Sequence, residues 1–372
     1  MKILHINSYY GKSHFYKNLF ELQIKEKLDI QVYVPVSNKF NTEIFDYGQY
    51  TKISPCYAEW ERLIFPFKHN KIYSDIKRKI NVTNFDCYHA HSWFSNGYIA
   101  YKLNQNFNIP YIVAIRNTDI NVFYKYMIYL RELGHKILLN ASKIIFISPA
   151  YRNKLIDELL PAKIAEAINS KSVIIPNGID NYWHENKYIG EKRDKLAELK
   201  ILYVGNIDKN KNLLTTCKAI DLLINEGINV TYTVVGKIQS QKVFNMLSSK
   251  KYFKYLGIKE KTELRQIYRS SDIFVMPSKT ETFGLVYAEA LSQGVPIIYS
   301  RGQGFDGWFK EGTVGYSVSC EDHKEIYEKI KLLMNNPVNI TQDVIKRFAW
   351  EDIANQYNKI YYEIVRGVNC KE

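Results

Sequence analysis

The residues best equipped for chemistry fall in one window, Pro277-Ser278-Lys279-Thr280-Glu281-Thr282-Phe283-Gly284-Leu285-Val286-Tyr287-Ala288-Glu289-Ala290. Two carboxylates, Glu281 and Glu289, flank a glycine with seven residues between them. A helix that opens near Phe283 or Gly284 presents unpaired N–H groups and a positive dipole end, an arrangement suited to phosphate. Gly284 would let a ligand approach the backbone closely. Glu289 then lies about 7.5 Å further along the axis, an offset matching that from a diphosphate to its ribose hydroxyls. A carboxylate at Glu281 cannot help bind phosphate and suits the hydroxyls of whatever the phosphate carries. In isolation such a pair would read as a capping carboxylate and a surface helix residue, so the surrounding elements decide its meaning.

Those elements are complete. The window comes straight off the apolar run Asp272 to Met276 and leads into Gly294-Val295-Pro296-Ile297-Ile298-Tyr299-Ser300, giving strand, loop, helix, turn and strand. Comparable apolar runs separated by helical patterns recur along the chain, the signature of a parallel α/β sheet. In the first half they fall at Lys2 to Asn7, Asp29 to Pro35, Cys87 to His91, Tyr111 to Ile115, Lys143 to Ser148 and Ser172 to Pro176. In the second half they fall at Lys200 to Val204, Thr231 to Val235, Tyr252 to Leu256, Asp272 to Met276 and Pro296 to Tyr299. The turn cluster Pro176-Asn177-Gly178-Ile179-Asp180 opens a hinge near residues 180 to 198. Ile353, Tyr357, Ile360 and Ile364 have helical spacing and predict a closing helix. Open α/β sheets bind ligands beyond the carboxyl ends of their strands, which directs attention to residues just after strands.

With those elements in place, the sequence resembles the retaining nucleotide-sugar glycosyltransferases of family 4. The hallmark Glu, seven residues, Glu matches Glu281 and Glu289 within Pro-Ser-x-x-Glu-Thr-Phe-Gly-Leu-Val-x-x-Glu-Ala. Pro176 to Asp180 is similar to the family's Pro-Asn-Gly-(Val/Ile)-Asp, and Tyr203-Val204-Gly205-Asn206 with Lys211-Asn212 to its Val-Gly-Arg and Lys-Gly segments. Phe348-Ala349-Trp350 resembles the Phe-Ser-Trp before the last helix. The resemblance is strongest over residues 141 to 360 and diffuse before about residue 85.

The resemblance implies a GT-B fold of two facing Rossmann-like doubly wound domains. An acceptor domain is expected over 1–180, a nucleotide-sugar domain over 181–349, and a helix over 350–372 that packs back on the first domain. It implies that Glu289 binds the ribose and Glu281 the donor sugar. The backbone at Phe283, Gly284 and Leu285 would hold the distal phosphate, while Lys211 neutralises the diphosphate. Gly205, Asn206, Gly257 and Ile258 would complete the donor side. The family has Arg where this chain has Asn206, so the missing cation would come from Arg116, Lys237 or Arg301. In the first domain, Arg116-Asn117-Thr118-Asp119 resembles a His-Gly-Ser-Asp or Arg-Gly-Ser-Asp segment. Arg116 and His91 join Lys211 and Glu281 as catalytic candidates. Gly11, Lys12, His91 and Asn117 are the acceptor-side candidates. The residues themselves leave His91 open between an acceptor contact and a packing histidine, and leave Arg116 free to pair with Asp119.

Composition bounds the rest. At 372 residues, with 46% hydrophobic and 24% charged residues, the chain is an ordinary globular protein. Two or three domains follow at roughly 100–200 residues each. No apolar stretch reaches the roughly 18 residues that a spanning helix needs. No apolar region with a cleavage site follows the N-terminus, and five scattered cysteines without a Cys-x-x-Cys pair point to a reducing cytoplasm. The formal charge is +13, and residues 1 to 180 carry +8 of it. The densest basic run, Lys68 to Lys79, follows the aromatic run Trp60 to Phe67, a combination suited to anionic lipid headgroups or to a plain solvated helix face. Nucleic acid is disfavoured because most aromatic residues fall in apolar-periodic segments.

The leading expectation is a cytoplasmic transferase, peripheral on the inner membrane face, that moves a sugar from a UDP donor to a lipid-linked or cell-surface glycan precursor. Asp-x-Asp is absent, so no metal and no other cofactor is expected. The rivals are a soluble or protein acceptor, a sugar-nucleotide epimerase, a phosphorylase, and a non-catalytic nucleotide- or carbohydrate-binding subunit. Hydride transfer is disfavoured because no Gly-x-Gly-x-x-Gly opens the first helix of either domain.

Overall fold

The computed structural model describes residues 1–42, 44–188, 198–341 and 343–369. The expected hinge therefore lies partly outside the described residues, and Cys370 lies wholly outside them. The other four cysteines are free thiols.

The chain divides into two compact units. The first holds Met1–Ile147, Tyr151–Pro176 and the C-terminal helix Trp350–Asn369. Its sheet contains β1 (Lys2–Ile6), β2 (Asp29–Ser37), β3 (Thr51–Tyr57), β4 (Cys87–Ala90), β5 (Tyr111–Ile115), β6 (Lys143–Phe146) and β7 (Ser172–Ile174). All pairings are parallel, in the order β3-β2-β1-β4-β5-β6-β7. Central strands such as β5, Tyr-Ile-Val-Ala-Ile, are buried throughout, as a sheet covered on both faces requires.

The second unit, Asn177–Ala349 with Ser148–Ala150, has β8 (Leu199–Val204), β9 (Val230–Val235), β10 (Phe253–Tyr255), β11 (Ile273–Met276), β12 (Ile297–Ser300) and β13 (Gly315–Val318). Its order, β10-β9-β8-β11-β12-β13, repeats the topology of the first unit. In each sheet the chain leaves a middle strand toward one edge and later returns on its other side. The strand order thus reverses between β1 and β4 and again between β8 and β11, and crevices for ligands form at such points.

Two strands escape the sequence pattern, β3 and β13, and both sit at sheet edges. β3 reads Thr-Lys-Ile-Ser-Pro-Cys-Tyr; its proline and its half-exposed alternation suit an edge, where a missing N–H costs nothing. β13 is four residues long and opens on a glycine.

The units divide between Pro176 and Asn177, four residues before the expected boundary at 180. The reason is local. The Ile179 amide donates to the Phe348 carbonyl at 2.9 Å, and Asp180 caps the helix Asn181–Glu185 while pairing with Lys261. The C-terminal helix lies in the first unit, with Ile353, Tyr357, Ile360, Tyr361 and Ile364 buried in the same core as Leu19 and Phe20 of the helix Lys17–Lys25.

Candidate active site

The window after β11 folds into a loop and the helix Leu285–Ser292. Gly284 is the residue before its first turn, in a left-handed conformation at φ +81°, so the helix begins one residue later than the sequence alone suggests. A Cβ at 284 would lie 2.4 Å from the Tyr287 ring, and this ring donates its hydroxyl to the Met276 carbonyl at 2.5 Å. Glycine is therefore required twice over, by dihedral and by space. The second close approach is at Gly304, where a Cβ would meet the Thr282 carbonyl oxygen at 2.0 Å.

Glu281 is fixed from three sides. Its amide donates to Gln303 Oε1 at 3.0 Å, its Oε1 accepts from the Thr282 amide at 3.0 Å, and its Oε2 accepts from Lys211 Nζ at 2.6 Å. Lys211 comes from a turn after β8 in which Asp208 Oδ1 accepts the amides of Asn210 at 2.8 Å and Lys211 at 3.0 Å. Asn210 clips that turn to the loop after β11 through Thr280, donating Nδ2 at 2.8 Å and accepting at 3.0 Å. Both side chains of the Lys211–Glu281 pair are largely shielded from water. A charge-assisted bond in such a setting is strong and oriented. Sequence spacing could not disclose Asn210 or Gln303, because each acts on a loop distant in sequence, whereas Asp208 forms a local turn with Asn210 and Lys211 that an Asp at this spacing signals.

Glu289 sits on the helix, half-buried, and accepts from the Tyr268 hydroxyl at 3.3 Å. Burial pushes its carboxyl up to about 7, against the pull of Tyr268, Lys261 and Trp183. The plain surface reading of Glu289 is thereby excluded. Phe283 is buried among Phe305, Trp308 and Phe348, while Leu285 is only half-buried. The Gly205 amide closes onto Val235 at 2.9 Å, and the exposed Asn206 takes the Tyr203 hydroxyl on its carbonyl at 2.6 Å. The Gly257 carbonyl accepts from Gly236 at 2.8 Å, and Ile258 is 71% exposed. Of the cations suggested to replace the missing arginine, Arg301 is engaged by Glu325. Lys237 is exposed, beside the Ile207–Ile238 bridge that follows Asn206.

In the first unit the candidates lie deeper. His91 is buried, its Nε2 3.0 Å from His5 Nδ1 and its ring 3.9 Å from that of His89. His89 Nδ1 meets the Tyr361 hydroxyl of the C-terminal helix at 2.6 Å. Among the described residues, His5, His89 and His91 are the group of side chains whose ligand atoms lie close enough to hold a metal, all within 4.8 Å. Burial holds all three well below the ordinary histidine range. The arrangement is that of neutral imidazoles joining β1, β4 and the last helix.

Arg116 Nε donates to the His91 carbonyl at 3.0 Å, and its guanidinium lies 5.6 Å from the centre of the Tyr16 ring. Its tie to Asp119 runs through its own amide, at 2.9 Å. Asp119 also accepts the amides of Trp93 at 3.0 Å and Phe94 at 3.1 Å, and burial raises it to about 6. Asn117 donates to the Tyr151 hydroxyl at 2.7 Å. Gly11 is buried and takes the Tyr47 hydroxyl on its carbonyl, whereas Lys12 is exposed.

The basic run is also reordered. Arg78 pairs with the buried Asp75 at 2.7 Å, Lys79 donates to Ser54 at 2.8 Å, and Lys71 pairs with Glu61. The exposed apolar side chains are Trp60, Leu63, Ile64 and Phe67, at the opposite end of the helix Phe65–Lys79 and just before it. No helix among the described residues is long and apolar enough to cross a membrane.

Residues 185–350 match the family Glycosyl transferases group 1, and residues 15–181 match Glycosyltransferase Family 4. The chain is 24% identical over 321 residues to the alpha-monoglucosyldiacylglycerol synthase of Acholeplasma laidlawii, with 79% of each chain covered. Among solved structures it resembles the sucrose-phosphate synthase of Thermosynechococcus elongatus, with a TM-score of 0.74, 17% identity and coverage of 99% of this chain and 100% of that one. It also resembles Anabaena HepE in complex with UDP and glucose, with a TM-score of 0.66, 15% identity and coverage of 97% and 99%. Two family matches that together run from residue 15 to 350, apart from residues 182–184, and full-length likeness to these folds agree with the Glu281–Glu289 motif: the chain belongs to the family 4 glycosyltransferases and has their GT-B fold.

Proposed function

We propose that this glycosyltransferase moves a sugar from UDP to a hydroxyl of a lipid-linked or cell-surface glycan precursor, with retention at the anomeric carbon and without a metal ion. The observation that carries this reading is the Lys211–Glu281 pair, 2.6 Å apart in front of the Gly284-capped helix. In this reading the diphosphate lies at the helix N-terminus, where first-turn amides and the dipole favour negative charge. Lys211 turns from Glu281 toward a phosphate oxygen, and the released carboxylate accepts hydroxyls of the donor sugar. Glu289 accepts the ribose hydroxyls.

As the bond from the anomeric carbon to the diphosphate oxygen breaks, its electron pair leaves with the diphosphate. Lys211 and the amides at Gly284 stabilise that charge, the task otherwise given to a divalent cation. The acceptor oxygen forms its new bond on the same face, and its proton passes to the departing phosphate. No separate base is needed. The HepE complex with UDP and glucose supports UDP as the donor, and the glucosyldiacylglycerol synthase supports an amphiphilic acceptor. The exposed apolar segment around Leu63 supports a peripheral membrane location.

The test is stereochemical. With the UDP-α-sugar that the protein turns over, proton NMR of the first glycoside formed shows an α linkage; a β linkage from the same donor contradicts retention.

A further inference from the structure

We propose that two segments of the first unit, residues 60–67 and 122–129, form one face that inserts into an anionic lipid bilayer. The proposal deepens the reading of a lipid-linked acceptor, on which its purpose rests, by naming the second segment that completes the lipid-facing surface. The first segment exposes Trp60, Leu63, Ile64 and Phe67, with Leu63 86% exposed. The second exposes Val122, Tyr126, Ile128 and Tyr129, with Ile128 65% and Tyr129 69% exposed. Exposed apolar side chains scattered singly need no explanation, whereas a contiguous set marks an interaction surface.

The two segments are far apart in sequence and meet through Phe65 and Phe123. The Phe65 ring, next to Ile64, lies 6.1 Å from that of Phe123, next to Val122, and Phe123 also stacks on Phe94 at 5.3 Å. These rings pin both backbones to one core and leave the flanking apolar side chains outside it. Trp60 stacks on Phe67 at 5.7 Å, so the first segment closes into an aromatic platform. Leu63 ends the short turn Glu59–Leu63, and Ile128 opens the short turn Ile128–Leu130. The segments follow β3 and β5 of an all-parallel sheet, so both stand at its carboxyl edge, where ligands of such sheets bind. A bilayer at that edge brings a lipid-borne acceptor to the same end of the sheet as the ligand crevice.

Charge decides the occupant. Residues 121–131 carry Lys125 and Arg131 and no acidic side chain. Residues 60–71 carry Arg62, Lys68 and Lys71 against Glu61, which is buried and paired with Lys71. Lys125 lies 5.1 Å from the centre of the exposed Tyr126 ring, and Lys68 lies 4.7 Å from that of Tyr57. Apolar tips beside lysines, with Trp and Tyr at the boundary, match a bilayer with anionic headgroups that takes such side chains about 5–10 Å deep. A second copy of the chain fits less well, since a two-fold contact would set this basic rim against itself.

Co-sedimentation of the full chain tests this face, using vesicles of phosphatidylglycerol mixed with phosphatidylcholine against phosphatidylcholine alone. The wild type should bind the mixed vesicles, and less so at high salt. Leu63→Asp in one segment and Ile128→Asp in the other should each weaken that binding roughly tenfold or more, and Lys68→Glu combined with Lys125→Glu should do the same. Met246→Asp, at an exposed position of the second unit, should leave it unchanged. Thermal melts confirm that each variant is folded.

Trp60 reports insertion directly. Phosphatidylcholine brominated on its acyl chains, placed in the mixed vesicles, should quench the fluorescence of the wild type and quench that of Trp60→Phe much less. Equal binding by the wild type and both apolar variants, no binding by the wild type, or binding without that quenching overturns the proposal. Self-association that Leu63→Asp and Ile128→Asp abolish, in a chain that does not bind vesicles, would overturn it in favour of a second copy. Vesicle binding without UDP release from any UDP-sugar would remove the transferase reading and leave this face standing, and UDP release without vesicle binding would do the opposite.

Discussion

At the scale of single residues, the donor side depends on groups whose charge is set by their surroundings. Lys211 and Glu281 face each other at 2.6 Å in a shielded pair, whereas Glu289 is left with a hydroxyl donor and a carboxyl raised to about 7. A carboxylate accepts two ribose hydroxyls better when ionised, so ligand binding must pull its proton off. The affinity for uridine, which has no phosphate to titrate, should therefore rise roughly tenfold between pH 6 and 8. Glu289→Gln should flatten the profile. Calorimetric titration at several pH values checks this, and a pH-independent wild type would show that Glu289 does not face the ribose. The carboxylates and Lys211 were legible in the sequence because the family motif fixes their spacing. Glu281's partner Gln303 and the clip from Asn210 to Thr280 were not, because loop-to-loop hydrogen bonds leave no periodic trace.

At the scale of elements, the parallel strands were legible wherever both faces are covered, since such strands read as unbroken apolar runs. The two overlooked strands, β3 and β13, are edge strands, and edges relax that demand. The cluster of His5, His89 and His91 was legible only in part. His89 and His91 are alternate residues leaving β4, so they share a face, but pairing His5 with His89 requires the β1–β4 register. That cluster makes a pH prediction. Each imidazole titrates below its ordinary 6.5 in the folded protein, so the unfolded chain binds more protons at acid pH. Stability is then fully present above about 6.5 and falls as pH falls through that value, by up to about 4 kcal/mol per pH unit for three histidines. Urea midpoints at pH 7.5 and 5.5 should show the loss, and His89→Gln should reduce its slope by about a third. Equal midpoints would mean that the imidazoles take up protons alike in the folded and unfolded chain, which contradicts the account.

At the scale of the whole molecule, two units of matching topology divide the labour: one carries the Glu281–Glu289 motif, the other most of the excess positive charge. The number of domains and their class could be read from the recurrence of strand and helix patterns. The boundary came four residues early, because Asn177 to Asp180 are tied to Phe348 and Lys261 of the second unit. Which basic residues are available for a partner was not legible, since a run of lysines does not reveal which of them Asp75 and Glu61 neutralise.

The central claim is that this chain cleaves a UDP-sugar with Lys211 and Glu281 in place of a metal. The direct test is UDP release from UDP-glucose, UDP-galactose, UDP-N-acetylglucosamine and UDP-N-acetylgalactosamine in the presence of a chelator, for wild type, Lys211→Ala and Glu281→Ala. The account predicts release from one donor, unaffected by the chelator and reduced about 10²-fold to 10³-fold in either variant. Release that stops with the chelator, or that persists at the wild-type rate in both variants, would contradict it.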